Sequence, residues 1–276
     1  MTEAPAIPAP AASSHWERNA EFWVRIIRER RDRYRTELTD EAVLAAVGPC
    51  HGLDVLDAGC GEGYLTREIA RLGARQVTGA DKSPALIAAA RAVSAGQPAA
   101  RFREADVAAL PFGDASFDLG IVNHVLNDLP DITSPVRELA RVLRPGGRLV
   151  ILMLHPCFYG DRAERQAIRR TLPVADYFAA REIEQHFEVD GIVSPEPTTS
   201  WVRPLEAYTE AITGSGLYLT SLTEPHPSDA QLGASEWWRE NFPRPLFLLI
   251  TAARPMTSGQ ASCQVSNSPT SRRGSA

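Results

Sequence analysis

A chain of 276 residues, 44% hydrophobic and 23% charged, has the composition of an ordinary soluble protein and is long enough to bury a sizeable core. A net charge of −5 with no long basic run weighs against a protein whose main task is gripping a phosphate backbone, so nucleic acid is not the expected partner. No apolar run approaches the roughly 20 residues of a membrane span. No basic and apolar leader opens the chain, and Cys50, Cys60, Cys157 and Cys263 form no CxxC pair, so a cytoplasmic location with reduced thiols is expected.

Residues 1–14, rich in Ala and Pro, and 256–276, rich in Ser, Gln and Asn, read as tails around a domain at 15–255. Trp16, Ala20, Trp23, Ile27 and Tyr34 fall at helical spacing and predict one amphipathic helix with an aromatic stripe. Thr39 reads as the N-cap of a second helix ending near Gly48-Pro49. Strands are predicted at Leu53–Ala58, Gln76–Asp81, Arg101–Ala105, Phe117–Val122 and Arg148–Leu154. Between them lie helices at Tyr64–Leu72, Ala85–Val93 and from Ser134-Pro135 to the Pro145-Gly146-Gly147 turn. This alternation predicts βαβ units and a parallel sheet with helices on both faces. The rhythm breaks at 156–202, which reads as an insertion over the strand ends. A helix near Pro204–Thr213 and strands at Leu217–Leu222 and Leu246–Ala252 follow.

The sharpest local signal is Val55-Leu56-Asp57-Ala58-Gly59-Cys60-Gly61-Glu62-Gly63, a strand running into closely spaced glycines. Such a turn lets a ligand approach main chain that no Cβ shields, at the strand end where open α/β sheets bind ligands. The spacing is G-x-G-x-G; a dinucleotide fingerprint wants a further glycine where Tyr64 stands. Asp81, about 20 residues past the first strand's turn, suits the two hydroxyls of a ribose, a feature NAD would share. Asp106, ending the third strand, suits an exocyclic adenine amine.

In order along residues 53–154, Leu56–Gly63, Asp81, Glu104–Phe112, Phe117-Asp118 and Leu143–Gly147 closely resemble the motifs of class I S-adenosylmethionine-dependent methyltransferases. The resemblance implies a Rossmann-like, seven-stranded, mostly parallel sheet whose last strand is antiparallel. It implies S-adenosyl-L-methionine as cofactor, with contacts from the Asp57–Gly63 stretch (Asp57, Ala58, Gly59, Cys60, Gly61, Gly63). It further implies ribose binding at Asp81, with Lys82 beside the adenine, adenine recognition at Asp106-Val107, and contact of Asn123 with the methionyl part. Tyr34 is a candidate lid residue offering its ring to the sulfonium; docking a helix on the core is the alternative reading.

For the methyl acceptor, a small, partly apolar molecule is expected. An acceptor such as a phenol needs a general base. His155, directly after the fifth strand, is the first candidate, and His124, after the fourth, is its rival and a candidate substrate contact. Phe158, Tyr159 and Trp201 are expected to build aromatic walls of the acceptor pocket. No acidic trio suggests a metal, and the segment Val122–Asp128 lacks the Asn/Asp-Pro-Pro-aromatic motif of amine-methylating nucleic-acid enzymes. The chemistry left open is O-, N- or C-methylation in natural-product or other small-molecule metabolism. Methylation of a nucleic-acid or protein component, a non-catalytic cofactor-binding subunit and an NAD-linked oxidoreductase are the alternatives.

Overall fold

The structure is a computed structural model that describes residues 14–159, 177–178 and 180–256. Nearly all of both expected tails, and the central part of the expected insertion, lie outside the described residues.

Five strands alternate with helices: β1 (Asp54–Ala58), β2 (Gln76–Asp81), β3 (Ala100–Glu104), β4 (Phe117–Asn123) and β5 (Leu143–Leu154). Four helices precede and connect them at first: α1 (His15–Arg18), α2 (Ala20–Arg28), α3 (Asp40–Val47) and α4 (Tyr64–Arg71). Then come α5 (Pro84–Val93) and α6 (Thr133–Val142). Four short strands follow, β6 (Arg181–Gln185), β7 (Glu188–Val189), β8 (Ile192–Val193) and β9 (Thr198–Val202). The chain continues through α7 (Leu205–Gly214), β10 (Tyr218–Thr223), α8 (Asp229–Ala234), α9 (Glu236–Asn241) and β11 (Phe247–Ala253).

The main sheet has seven strands in the order β10-β11-β5-β4-β1-β2-β3. β1 pairs parallel with β2 and β4, β4 with β5, and β2 with β3; β11 alone runs antiparallel to both neighbours. The expected mostly parallel sheet with an antiparallel last strand is therefore present. Alternation explains its two-sided core. Leu56, Ile151 and Ile250 join one hydrophobic cluster, while Val55, Val150 and Leu249, one residue away in each strand, join the other. Strand order reverses direction at β1, so the ends of β1 and β4 flank the switch point at which such sheets hold ligands.

Four details differ from the sequence reading. The single N-terminal helix is two, broken at Asn19, and the second ends at Arg28, so Tyr34 lies on neither. At the break the Asn19 side chain holds the main chain of Glu196 on both sides, Nδ2 donating to its carbonyl and Oδ1 accepting from its N–H, each at 2.9 Å. Thr39 does not cap; a π-helical turn, Arg35–Thr39, runs straight into α3. The Pro145-Gly146-Gly147 turn is absorbed into β5, which starts at Leu143, and α6 starts at Thr133, with Asp131 accepting from the N–H groups of Thr133 and Ser134. The described part of the 156–202 segment is more regular than expected: β6 pairs with β9 and β7 with β8, forming a small cap.

Candidate functional site

The glycine turn leaves β1 with Gly59, Gly61 and Gly63 all at positive φ (+77°, +55° and +79°). They do different work. A Cβ on Gly59 would collide with Val125, and one on Gly63 with Phe102, so these two permit close packing of neighbouring elements. A Cβ on Gly61 would meet nothing within 4 Å: this is the open face of the turn. The amides of Gly59 and Cys60 both donate to Ala80 O (2.7 and 3.0 Å), and that of Gly63 to Cys60 O (2.9 Å). The turn thus offers bare main-chain surface to a ligand, with those donors turned inward. The side chains of Ala58 and Cys60 are buried, so contact by them with a cofactor would have to be through main chain. Asp57 is likewise buried, accepting from Thr66 Oγ1 at 2.6 Å. Burial pushes its pKa up to about 6, against the Thr66 bond and with help from the Asp81 charge.

Asp81 closes the turn. Its Oδ2 accepts from the Gly61 N–H at 2.8 Å and its Oδ1 from the Ser83 N–H at 2.9 Å, fixing the carboxylate beside the open glycine. Burial raises its pKa, opposed by these two bonds. Lys82, expected beside an adenine, is exposed and reaches across to Asp106 Oδ2 at 2.8 Å. Asp106 Oδ1 accepts from the Ala108 N–H at 2.9 Å, and Val107 packs partly buried on the core below. Asn123 ends β4; its Nδ2 donates to the Tyr64 hydroxyl (2.9 Å), which donates to Asp40 Oδ1 (3.1 Å), while its buried Oδ1 has no partner. An open glycine face, a fixed carboxylate and an orphaned acceptor along one rim fit a ligand with a nucleoside at one end and an amine at the other.

The turn is anchored by a residue the sequence reading left unassigned. Glu62 is fully buried between two arginines, Arg28 of α2 (3.2 Å) and Arg67 of α4 (2.6 Å). Glu17 of α1 accepts from the Ser83 hydroxyl and from the Ala85 N–H at 3.2 Å, at the start of α5. With the Asn19–Glu196 pairing and Trp23 edge-on to Phe187 at 5.2 Å, α1 and α2 tie the cap to the cofactor-side rim. The signal for Glu62 was its place between two glycines; Arg28 and Asn19 carried no local signal. Tyr34 packs among Trp237, Trp238 and Phe247 at 5.0–5.8 Å, and its hydroxyl donates to Asn241 O at 2.8 Å. This is the helix-docking arrangement, and nothing in it aims the ring at the glycine turn.

The two histidines sit in contrasting settings. His155 is 3% exposed. Its Nδ1 accepts from the Cys157 N–H (3.1 Å), so Nε2 carries the proton and donates to Glu224 Oε1 (2.8 Å). Burial lowers its pKa, with Glu224 opposing. In this arrangement both ring nitrogens are engaged within the protein. His124 is partly exposed, at φ +57°, and its ring meets Phe247 edge-on at 5.6 Å. Neither ring nitrogen has a hydrogen-bond partner among the described residues, and burial in its recess lowers the pKa to about 4. Tyr159, Trp201 and His155 line one small cavity together with Asn127, Ser200 and Tyr208. Phe158, 4.7 Å from the His155 ring but 39% exposed, turns outward. Among the described residues no cluster of His, Cys, Asp and Glu could hold a metal, and no helix is long and apolar enough to cross a membrane.

Residues 56–151 match the family model described as a methyltransferase domain. The chain is 32% identical over 187 residues to the ubiquinone biosynthesis O-methyltransferase of Xanthomonas oryzae pv. oryzae, covering 66% of this chain and 72% of that one. It is 40% identical over 119 residues to the O-methyltransferase cnsE of Penicillium expansum, but spans only 42% of that protein's length. The solved S-adenosylmethionine-dependent methyltransferase of Mesorhizobium loti superposes with a TM-score of 0.61 at 29% identity, covering 78% of this chain and 96% of that one. The glycine turn, the fixed strand-end acid and these matches agree: the chain belongs to the class I S-adenosylmethionine-dependent methyltransferases.

Proposed function

We propose that the protein methylates a hydroxyl of a small, partly aromatic molecule, with His124 as the general base. The observation that carries this reading is the free His124 imidazole at the end of β4, beside the switch point and next in sequence to Asn123. S-adenosylmethionine, when bound, supplies a methyl group on a sulfonium leaving group. Gly61 and Asp81 would hold its nucleoside end and Asn123 Oδ1 its amine. His124, uncharged at neutral pH, accepts the acceptor's hydroxyl proton as the new carbon–oxygen bond forms. In-line positioning supplies most of the remaining advantage. The choice of oxygen is supported by the relatives named as O-methyltransferases.

The test is titration with S-adenosylhomocysteine and, in parallel, NAD, followed by transfer of labelled methyl from S-adenosylmethionine to a panel of phenols. Saturable binding of S-adenosylhomocysteine alone, with transfer that His124→Ala slows about 10²-fold or more, supports the reading. Binding without transfer to any acceptor favours a non-catalytic subunit.

A further inference from the structure

The stretch from Glu17 to Arg31 grips two parts of the molecule in turn. Glu17 accepts from the Ser83 hydroxyl and from the Ala85 N–H at 3.2 Å, and the Ser83 N–H in turn donates to Asp81 Oδ1 at 2.9 Å. Asn19, wholly buried, holds the Glu196 main chain by both atoms of its amide. Trp23 then meets Phe187 edge-on at 5.2 Å. Arg28 reaches back to the glycine turn, pairing with Glu62 at 3.2 Å and donating to Ala89 O at 2.9 Å. Arg31, just past α2, pairs with Asp190 between β7 and β8 at 2.6 Å. Glu17 and Arg28 therefore hold the cofactor-side rim, while Asn19, Trp23 and Arg31 hold the cap. Because the two sets alternate along one short helical stretch, neither can move without the other.

The rim contacts fall on the residues next to the open glycine face. Ser83 helps fix the Asp81 carboxylate, and Glu62 stands between Gly61 and Gly63. The cap has a second root, on the loop after β4. There the Ser200 hydroxyl donates to Asp128 Oδ1 at 3.3 Å, and Arg203 donates to the carbonyls of Leu129 and Pro130. We infer that α1 and α2 are a strap that couples cofactor occupancy to the cap, with Glu17 and Asn19 as its positioning residues. Cofactor on Gly61 and Asp81 steadies Glu62 and Ser83, these hold the strap, and the strap holds β6–β9. Segments that open as one unit are protected together when a ligand binds either of them. The inference rests on Gly61 and Asp81 holding the cofactor's nucleoside end; it does not depend on which atom of the acceptor is methylated.

The test is hydrogen exchange of the full chain, read by mass spectrometry with and without saturating S-adenosylhomocysteine. Exchange at 59–63 and 81–83 reports the cofactor site, and exchange at 181–202 reports the cap. In the wild type both should slow on binding, the cap by about threefold or more. Asn19→Ala should leave the slowing at 59–63 in place and cut the gain at the cap below about 1.5-fold. A merely structural loss would speed cap exchange equally with and without ligand and leave the gain intact. Glu17→Ala cuts the strap at its other end and should act alike, which keeps the test alive if Asn19→Ala does not fold. A cap indifferent to S-adenosylhomocysteine in the wild type, or a gain that survives in a folded variant, overturns the strap and leaves the cofactor site standing. Binding that leaves 59–63 and 81–83 unprotected, or no binding at all, overturns the site and the strap together.

Discussion

The ends of β4 and β5 each deliver a histidine to the same rim of the sheet, and the molecule treats the two in opposite ways. After β5, His155 is buried and both its nitrogens are bonded, one to a main-chain N–H two residues away and one to Glu224, 69 residues further along the chain. After β4, His124 is held in a left-handed backbone conformation, where a non-glycine residue is strained, and its nitrogens stay free. A strand-end position therefore places a histidine near the chemistry without giving it a role. The role depends on what the rest of the fold offers each nitrogen.

The largest effect that would sharpen or break this contrast is kinetic. His124→Ala should lower kcat about 10²- to 10³-fold, the range of a lost general base, while S-adenosylhomocysteine affinity holds. His155→Ala should change kcat much less; a larger loss there than at His124 would reverse the contrast. The pH profile follows from the same difference. With a pKa of about 4, His124 is the free base at neutral pH and takes up a proton only as pH falls through that value. Activity controlled by it should thus persist to about pH 5 and fall below. A fall centred near the ordinary histidine value of about 6.5 would point to a different base.

Next in size is the cofactor rim. Asp81→Ala removes a carboxylate that also receives the Gly61 and Ser83 amides, so S-adenosylhomocysteine binding should weaken by about 1.5–3 kcal/mol. Unchanged calorimetric affinity would take Asp81 out of the site. His155→Ala should cost about 1–3 kcal/mol of stability in urea unfolding, because it leaves the Cys157 amide without its acceptor. Little change in stability would mean that His155 is spared for something other than structure. The smallest effect is expected at the strap between cap and rim. Asn19→Ala should cost about 1 kcal/mol and raise hydrogen exchange in α1, since it removes both bonds to Glu196.

Much of the cofactor half was legible because its determinants are local. The continuous apolar runs of β1 and β5, Ser83 and Pro84 at the start of α5, and the G-x-G-x-G turn each act over a few residues, so the sequence displays them directly. Even there, the division of labour among the glycines, with Gly61 open and Gly59 and Gly63 packed against Val125 and Phe102, needed neighbours from other elements.

The acceptor half was legible only as a list of residues. Tyr159 and Trp201 do meet at one cavity with His155, yet Phe158, adjacent in sequence, turns outward and Tyr34 docks a helix. By itself the sequence determined the sheet, the glycine turn after β1 and the family, since periodicity and turn chemistry are short-range properties of the chain. Only the tertiary structure decided which histidine is free and where Glu62 and Asn19 act. Those outcomes hang on hydrogen bonds between distant segments, 69 residues apart for His155 with Glu224 and 177 for Asn19 with Glu196, and a partner that far along the chain leaves no local mark.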